Sequence, residues 1–204
     1  RFDFEYRDSD GEFHRVANLT PQIFRDRYLK INIEDYVSLI NAPTADKPFN
    51  RTFTVQYLGN VRGGKDVRYL NLENRKLKKI ALAQLTNGEP VWFGCDVGKM
   101  LDRDRGVIDP DLFLYDETLD VKFGLDKAGR LDYGETRMTH AMVFTGVNIV
   151  DGKPDRWKVE NSWGEKAGNE GFLIMSDKWF DEYNFQVVVN KKYLSDQLRT
   201  AYEP

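Results

Sequence analysis

The last third of the sequence contains four runs with the composition of β-strands, and no other feature limits the fold as strongly. The runs are 141–150, 156–160, 171–175 and 185–189. The turn sequence Asp151-Gly152-Lys153-Pro154 joins the first two runs, which we therefore expect to form a hairpin. The sequence predicts an α+β fold with a strongly bent antiparallel sheet or barrel toward the C-terminus.

The first two thirds of the sequence mix strands with helices. Alternating aromatic residues predict a hairpin over 2–16, and Thr20-Pro21 has the capping hydroxyl and first-turn proline of a helix start. Apolar residues at helical spacing predict a second helix over 73–87. Further strand-like runs are 36–40, 52–58, 67–70, which follows a turn at Gly63-Gly64, and 90–95. The charged segment 96–137 is weakly periodic, and we expect a long ordered loop there.

Composition limits the function classes open to this chain. Its 204 residues suit one large domain or two small ones, and the 13% aromatic content excludes a disordered chain. A net charge of −3 argues against general nucleic-acid binding, and no apolar run is long enough to cross a membrane. One cysteine excludes an intramolecular disulfide framework and favours a reducing compartment such as the cytoplasm. Two distant histidines provide no metal-ligand cluster, so we expect no metal and no cofactor.

Two segments partly match the sequence patterns of ligand-binding loops, but each lacks residues that the ligand requires. The segment 59–65 matches the start of a phosphate-binding loop, but Asp66 stands where a Ser or Thr hydroxyl would bind magnesium. The acidic stretch between 102 and 120 fails the EF-hand spacing, because Gly106 and Phe113 fall at ligand positions. We interpret the first segment as a hairpin turn and the second as a solvated loop.

A pair of residues in the strand-rich third has the pattern of an acid–base site. His140 opens one strand-like run, and Asn161 follows 21 positions later, after a second run that can return the chain to the same place. A histidine that shuttles protons needs an acceptor on one ring nitrogen so that the other faces the reacting group. An Asn amide oxygen provides this without a buried charge, and Trp163 can cover the pair and exclude water.

Longer motifs surround these residues. They are His140-Ala141-Met142, Glu160-Asn161-Ser162-Trp163-Gly164 and Asn169-Glu170-Gly171-Phe172, with further runs at 39–43, 57–61, 90–99, 157–164, 179–183 and 187–191. The motifs resemble the His/Asn half of the papain-like cysteine peptidases. The further runs resemble the bleomycin hydrolase and bacterial aminopeptidase C branch of that family. Together they cover nearly the whole chain.

The resemblance implies a papain-like cysteine peptidase fold, of which this chain carries mainly the C-terminal antiparallel β-barrel half with flanking helices. Residues 36–204 would form the barrel half, and 1–35 a helical insert region specific to the family. The implied activity is that of a cytoplasmic thiol aminopeptidase that acts on peptides and assembles as a ring-shaped homohexamer. In such an enzyme His140 would be the general base and acid, Asn161 its orienter and Trp163 the cover.

The family's nucleophilic cysteine and oxyanion-hole glutamine belong to an N-terminal half that the sequence does not contain. We therefore expect the chain, which begins at Arg1, to be the C-terminal portion of a longer enzyme. Its partners would be the missing half, further copies of the same protein and a peptide substrate, with neither a membrane nor a nucleic acid. Alone, it should be inactive.

Two alternatives remain open. Cys95 could be the nucleophile, since it precedes His140 and Asn161 in the chain order of a thiol enzyme. Against this, Glu89 stands where the family has a glutamine, and Asp96 beside the sulfur would raise the thiol pKa. The second alternative is a non-catalytic interaction or assembly module that retains the peptidase barrel.

Overall fold

The computed structural model describes residues 1–29, 31–59 and 61–203. The chain divides into two compact units, Arg1–Asp35 and Tyr36–Pro204. Asn60, which belongs to the turn predicted around 59–65, lies outside the described residues. In the described ranges, no helix combines the length and the apolar character that crossing a membrane requires.

The smaller unit begins with the predicted hairpin. Strand β1 (Phe2–Arg7) pairs antiparallel with β2 (Phe13–Leu19). The Asp8 carboxylate accepts hydrogen bonds of 3.0 Å from the backbone N–H groups of Asp10 and Glu12. These bonds close the turn between the strands.

Short helical segments complete this unit. The Thr20 hydroxyl caps α1 (Pro21–Phe24), which continues as a π-helix over Arg25–Leu29, and a 3₁₀ turn covers Ile33–Asp35. Four aromatic rings pack across the hairpin and the helical turns; they belong to Phe2, Phe4, Phe24 and Tyr28. Residues 1–35 are therefore a hairpin with short helices, more mixed than the helical insert that the resemblance implies.

The larger unit is built on a ten-stranded sheet. Its strands are β3 (Tyr36–Ile40), β4 (Arg51–Phe53), β5 (Tyr69–Asn71), β6 (Val91–Cys95), β7 (Leu101–Asp102), β8 (Val107–Ile108), β9 (His140–Val150), β10 (Lys153–Glu160), β11 (Phe172–Ser176) and β12 (Asn184–Asn190). The spatial order is β4-β5-β3-β12-β6-β9-β10-β11-β8-β7. Pairing is antiparallel except for β3 with β5 and β8 with β11. The four strand-like runs of the last third are all confirmed as β9 to β12.

The sheet does not close into a barrel, so the prediction that residues 36–204 form a β-barrel half is wrong in this respect. Its outermost strands, β4 and β7, lie at opposite ends of the spatial order, with no pairing between them in the described part of the chain. Closure needs a continuous ladder of hydrogen bonds between the two edges. The edges cannot provide one, because β4 has three residues and β7 two. The coarser prediction, a mixed α+β fold, is confirmed.

Within the described residues there are six α-helices, and five of them belong to the larger unit. These five are α2 (Asn74–Thr86), α3 (Tyr115–Leu119), α4 (Lys127–Asp132), α5 (Asp177–Tyr183) and α6 (Asp196–Tyr202). Helix α2 packs on β9 and β12, and α5 packs on β10 and β11. The predicted helix over 73–87 is thus confirmed. In contrast, α3 and α4 lie in the segment 96–137, for which a loop is predicted, and no sequence pattern predicts α5 and α6.

The hydrophobic core of the larger unit contains a cluster of packed aromatic rings. Phe93 and Phe144 stack with ring centroids 3.8 Å apart, and Trp157 lies between Phe144 and Phe180 at 4.9 and 5.1 Å. The four side chains are completely buried. Each such side chain stabilises the fold by roughly 2–3 kcal/mol through burial. This core holds β6, β9 and β10 side by side.

The region from 52 to 70 differs from its prediction. Strand β4 ends at Phe53, so the predicted strand over 52–58 is wrong beyond that residue. The turn at Gly63-Gly64 forms, with the Gly64 N–H donating to the Val61 carbonyl at 3.0 Å, but the described residues on its two sides do not pair as a hairpin. The strand that follows, β5, pairs with β3 and β4 instead. The two glycines therefore predict the turn correctly, but they do not predict which strands β5 pairs with.

Candidate active site

The hairpin of β9 and β10 brings His140 and Asn161 to the same end of the sheet. His140 is the first residue of β9, and Asn161 directly follows Glu160, the last residue of β10. Because the two strands run antiparallel, the start of one lies beside the end of the other. The distance from His140 Nε2 to Asn161 Oδ1 is 2.9 Å, a hydrogen bond. The two residues predicted from their spacing are therefore neighbours.

The Asn161 amide is oriented by its own backbone environment. Its Oδ1 also accepts a hydrogen bond of 2.8 Å from the backbone N–H of Ser162. A backbone N–H can only donate, so the side-chain atom that faces it must be the oxygen. The Asn161 N–H in turn donates to the Gly171 carbonyl at 3.1 Å, which fixes the residue to the far end of its loop.

This orientation determines the tautomer of a neutral His140. An amide oxygen can only accept, so Nε2 of the imidazole carries the hydrogen. The other nitrogen, Nδ1, is then left with a lone pair and can take a proton from a reacting group. The His140 ring is half-buried, which keeps it reachable while limiting water around it. The arrangement is that of an oriented general base.

Trp163 packs beside the imidazole, as the sequence predicts for a cover. The two ring centroids are 5.1 Å apart, with the planes tilted by 32°. The guanidinium of Arg103, from the turn between β7 and β8, lies 4.9 Å from the centroid of the Trp163 ring. Such a cation–π contact stabilises the indole by about 0.5–1 kcal/mol at an exposed site.

The loop that carries Asn161 and Trp163 is joined to the β7–β8 turn by close backbone contacts. The Gly168 N–H donates to the Arg103 carbonyl at 3.1 Å. Gly168 has φ +62°, and a Cβ at this position would collide with the Phe172 carbonyl oxygen. Only glycine fits there without displacing the loop. The β7–β8 turn belongs to the segment 96–137, for which the sequence predicts a long ordered loop, and it supports the site.

Cys95 lies near His140 in the sheet but is not available as a nucleophile. It is the last residue of β6 and the ladder partner of His140. Its side chain is completely buried in the core, and among the described residues no hydrogen bond joins the thiol to the imidazole. Burial, followed by the charge of Asp96, raises the pKa of the Cys95 thiol far above its ordinary value. A reactive thiolate is disfavoured on both grounds.

We expect the Cys95 thiol to resist alkylation in the folded chain. Because its pKa is raised and the sulfur is buried, the rate with iodoacetamide near neutral pH should be at least about 10²-fold below that of the unfolded chain. Mass spectrometry after timed quenching measures both rates. The urea-unfolded chain is the matched control, since it has the same single cysteine. Equal rates in the two states would restore Cys95 as a candidate nucleophile.

Metal chemistry finds no support at this site. Within 1–29, 31–59 and 61–203, no group of three or more His, Cys, Asp or Glu side chains is placed to hold a metal ion. The chemistry that the site offers is proton transfer by His140.

The sequence analysis missed two contributors to the site. Arg103 was assigned to a solvated acidic loop, and its contact with Trp163 spans a sequence separation that no local pattern reveals. For Asp96, the sequence indicates only an effect on the pKa of the adjacent Cys95 thiol. Its carboxylate in fact binds the segment that leads into His140, through Thr136 and Thr139.

The chain is similar to proteins of a known family. The Peptidase C1-like family matches residues 1–204. Aminopeptidase C from Listeria monocytogenes serovar 1/2a is 53% identical over 201 residues, which cover 98% of this chain and 46% of the relative. Aminopeptidase C from Lactobacillus delbrueckii subsp. lactis is 50% identical over 202 residues, 99% of this chain and 45% of the relative.

A solved structure has the same fold. The crystal structure of PepW from Lactobacillus rhamnosis HN001 superposes with a TM-score of 0.94 at 54% sequence identity, and covers 98% of this chain and 45% of that one. The chain therefore spans about half the length of the relatives it matches.

Proposed function

This chain belongs to the Peptidase C1-like family, and from that membership we propose that it is the C-terminal portion of a cysteine aminopeptidase. The enzyme would remove N-terminal residues from peptides through a thiol acyl-enzyme, in the bleomycin hydrolase and aminopeptidase C branch. Relatives about half identical to this chain are named aminopeptidase C. The observation that carries the proposal is the oriented pair, with His140 Nε2 2.9 Å from Asn161 Oδ1.

The part of the enzyme that this chain does not supply would contribute the nucleophilic thiol. His140 Nδ1 takes the thiol proton, and the resulting thiolate attacks the carbonyl carbon of the first peptide bond. The C–N bond then breaks as the His140 imidazolium gives its proton to the leaving amine, and a thioester remains. Water attacks the thioester while His140 takes its proton, and the C–S bond breaks to release the N-terminal residue as a free amino acid.

Asn161 and Trp163 act through the histidine. The Asn161 oxygen accepts from Nε2 before and after proton transfer, which keeps Nδ1 directed at the reacting groups. The Trp163 ring lies beside the imidazole and shields the hydrogen bond from water, so that it is stronger than it would be in solvent. Neither residue exchanges a proton with the substrate.

The partners and location follow from the resemblance and remain part of the proposal. They are the thiol-bearing half of the same protein, further copies in a ring-shaped homohexamer, and a cytoplasmic setting. The single cysteine is free and buried, which is compatible with a reducing compartment.

An aminopeptidase assay in the presence of a reductant tests the proposed function. We expect no turnover of an unblocked aminoacyl fluorogenic amide by the 204-residue chain alone, and turnover by the longer protein that contains it. An N-acetylated version of the same amide is the matched control, because an aminopeptidase requires the free amino end. Turnover by the chain alone that is abolished in Cys95→Ala would contradict the proposal, as would a longer protein that cleaves neither amide.

A further inference from the structure

The carboxylate of Asp96 is buried beside the start of β9, and its hydrogen bonds go to one short segment. Asp96 is only 6% exposed, a degree of burial that an unpaired carboxylate would not tolerate. It follows directly after Cys95, the last residue of β6. Its backbone is fixed, because its N–H donates to the Tyr183 carbonyl at 3.1 Å.

Three donors bind this carboxylate, and all lie in the four residues before His140. The Thr136 hydroxyl donates to Oδ2 at 2.9 Å, and the Arg137 backbone N–H donates to the same oxygen at 3.3 Å. The Thr139 hydroxyl donates to Oδ1 at 3.1 Å. Thr136 is as deeply buried as the carboxylate, with 2% of its surface exposed. Among the described residues, the hydrogen bonds to the two oxygens all come from residues 136–139.

These bonds hold residues 136–139, which lie outside the hydrogen-bond ladder of the sheet. His140 is the first residue of β9, so the ladder continues only on its C-terminal side. The last ladder-like contact before it is the Thr139 N–H bond to the Cys95 carbonyl at 2.9 Å. A strand end with few backbone hydrogen bonds opens easily. The Asp96 carboxylate extends the attachment by three further bonds beyond that end.

We propose that Asp96 is a positioning residue, which holds His140 in place against Asn161 by tying down residues 136–139. The positioning of His140 by Asp96 rests on the geometry alone. The effect of Asp96 on turnover rests in addition on the proposed function. A displacement of about 1 Å in a catalytic group is enough to lower a rate by roughly 10²-fold. Residue Asp96 therefore acts on the reaction through the imidazole and without contact to the substrate.

The structural part can be tested on this chain by NMR of the histidine ring nitrogens. The chain has two histidines, so His14→Gln leaves His140 as the only source of such signals. In that background we expect the neutral form of His140 to carry its hydrogen predominantly on Nε2. Asp96→Ala should lower the ratio of the Nε2–H tautomer to the Nδ1–H tautomer by roughly fivefold or more, because about one net hydrogen bond is lost.

Matched variants separate positioning from general loss of stability. Asp177→Ala removes another carboxylate with internal partners, Trp157 Nε1 and Lys78 Nζ, at 3.0 and 2.8 Å. It should destabilise the chain and leave the His140 tautomer ratio unchanged. Thr139→Val, which removes one of the three bonds and preserves the side-chain shape, should shift the ratio in the same direction as Asp96→Ala by a smaller factor. An unchanged ratio in a folded Asp96→Ala or Thr139→Val chain overturns the proposal.

The catalytic part is measured in the longer protein. Asp96→Ala should lower kcat by about 10-fold or more with little change in KM, because the substrate's binding contacts are untouched. A tautomer shift without any change in kcat would overturn the assignment of His140 to catalysis while leaving the positioning role in place. An unchanged tautomer in a variant with lowered kcat would overturn the positioning role alone.

Discussion

Replacement of His140 by glutamine should reduce kcat of the intact peptidase by at least about 10³-fold. Glutamine can replace the hydrogen bond to Asn161, which is 2.9 Å long in this structure. It cannot accept a proton near neutral pH, so the thiol loses its base and the leaving amine its acid. We expect KM to change little, because the imidazole contributes to the transition state more than to substrate binding. Steady-state kinetics on an unblocked aminoacyl amide measures both quantities.

The second histidine provides the matched control. His14 lies in the hairpin unit, where its Nε2 is 2.6 Å from the Asp8 carboxylate. His14→Gln should leave kcat within about twofold of the parent value, since the His14 side chain makes its hydrogen bond within the hairpin unit and most substitutions of partly exposed side chains have small effects. If the His140→Gln protein folds and retains more than about a tenth of kcat, His140 is not the general base.

The strands were predictable because their signals are local. Runs such as 141–150 and 185–189 combine β-branched and aromatic residues between turn sequences, and both are strands in the structure. Helix α2 has an apolar stripe over more than three turns and was equally accessible. In contrast, α5 has seven residues, too few for helical periodicity to distinguish it from a strand.

The open sheet was not predictable, because closure depends on pairings between distant segments. The short strands β7 and β8 come from the segment read as a loop, and β8 pairs parallel with β11. Two-residue strands have no alternation that a sequence could display. Their position at the sheet edge depends on the burial of Ile108 in the hydrophobic core and on the contact of Gly106 with Gly168, neither of which is local.

The site shows the same division between local and distant signals. The pairing of His140 with Asn161 could be predicted, since one hairpin connects them and the motif around Trp163 is specific. Asp96 and Arg103 could not be assigned their contacts, because each reaches its partners across 40 or more positions, as Asp96 does to Thr136. Support of this kind appears only when the strands are placed side by side.

A buried lysine leads to the second large expected effect, a rise of stability with pH. Lys127 begins α4 and is only 8% exposed. Its Nζ donates to the Asn184 carbonyl at 2.7 Å and lies 5.0 Å from the centre of the Phe185 ring. Burial lowers the pKa of Lys127 to about 7. The negative charges of Glu182 and Asp181 raise this pKa and offset only part of the effect of burial. The folded state therefore resists keeping this ammonium charged.

The sign of the effect follows from proton binding in the two states. Below about pH 7 the lysine is protonated in both the folded and the unfolded chain, and the desolvation penalty is borne in full. As the pH rises through the folded pKa, the native state loses the proton while the unfolded state, with the ordinary value of 10.5, keeps it. The free energy of unfolding should then increase by up to about 1.4 kcal/mol per pH unit.

Urea unfolding followed by tryptophan fluorescence, from about pH 6 to about pH 8.5, measures this slope. Near the upper end of this range, ionisation of the Cys95 thiol in the unfolded chain opposes the rise by only about 0.2 kcal/mol, because its ordinary pKa is 9.0. Lys127→Met keeps the length of the side chain and removes the charge, and should abolish the rise and be more stable than the parent near pH 6. Lys178→Met is the matched control. The hydrogen bond to the Asp111 carboxylate raises the pKa of Lys178 above its ordinary value of 10.5, so this lysine stays protonated throughout the measured pH range. A slope that is the same in the parent and in Lys127→Met would show that Lys127 is not the group that titrates.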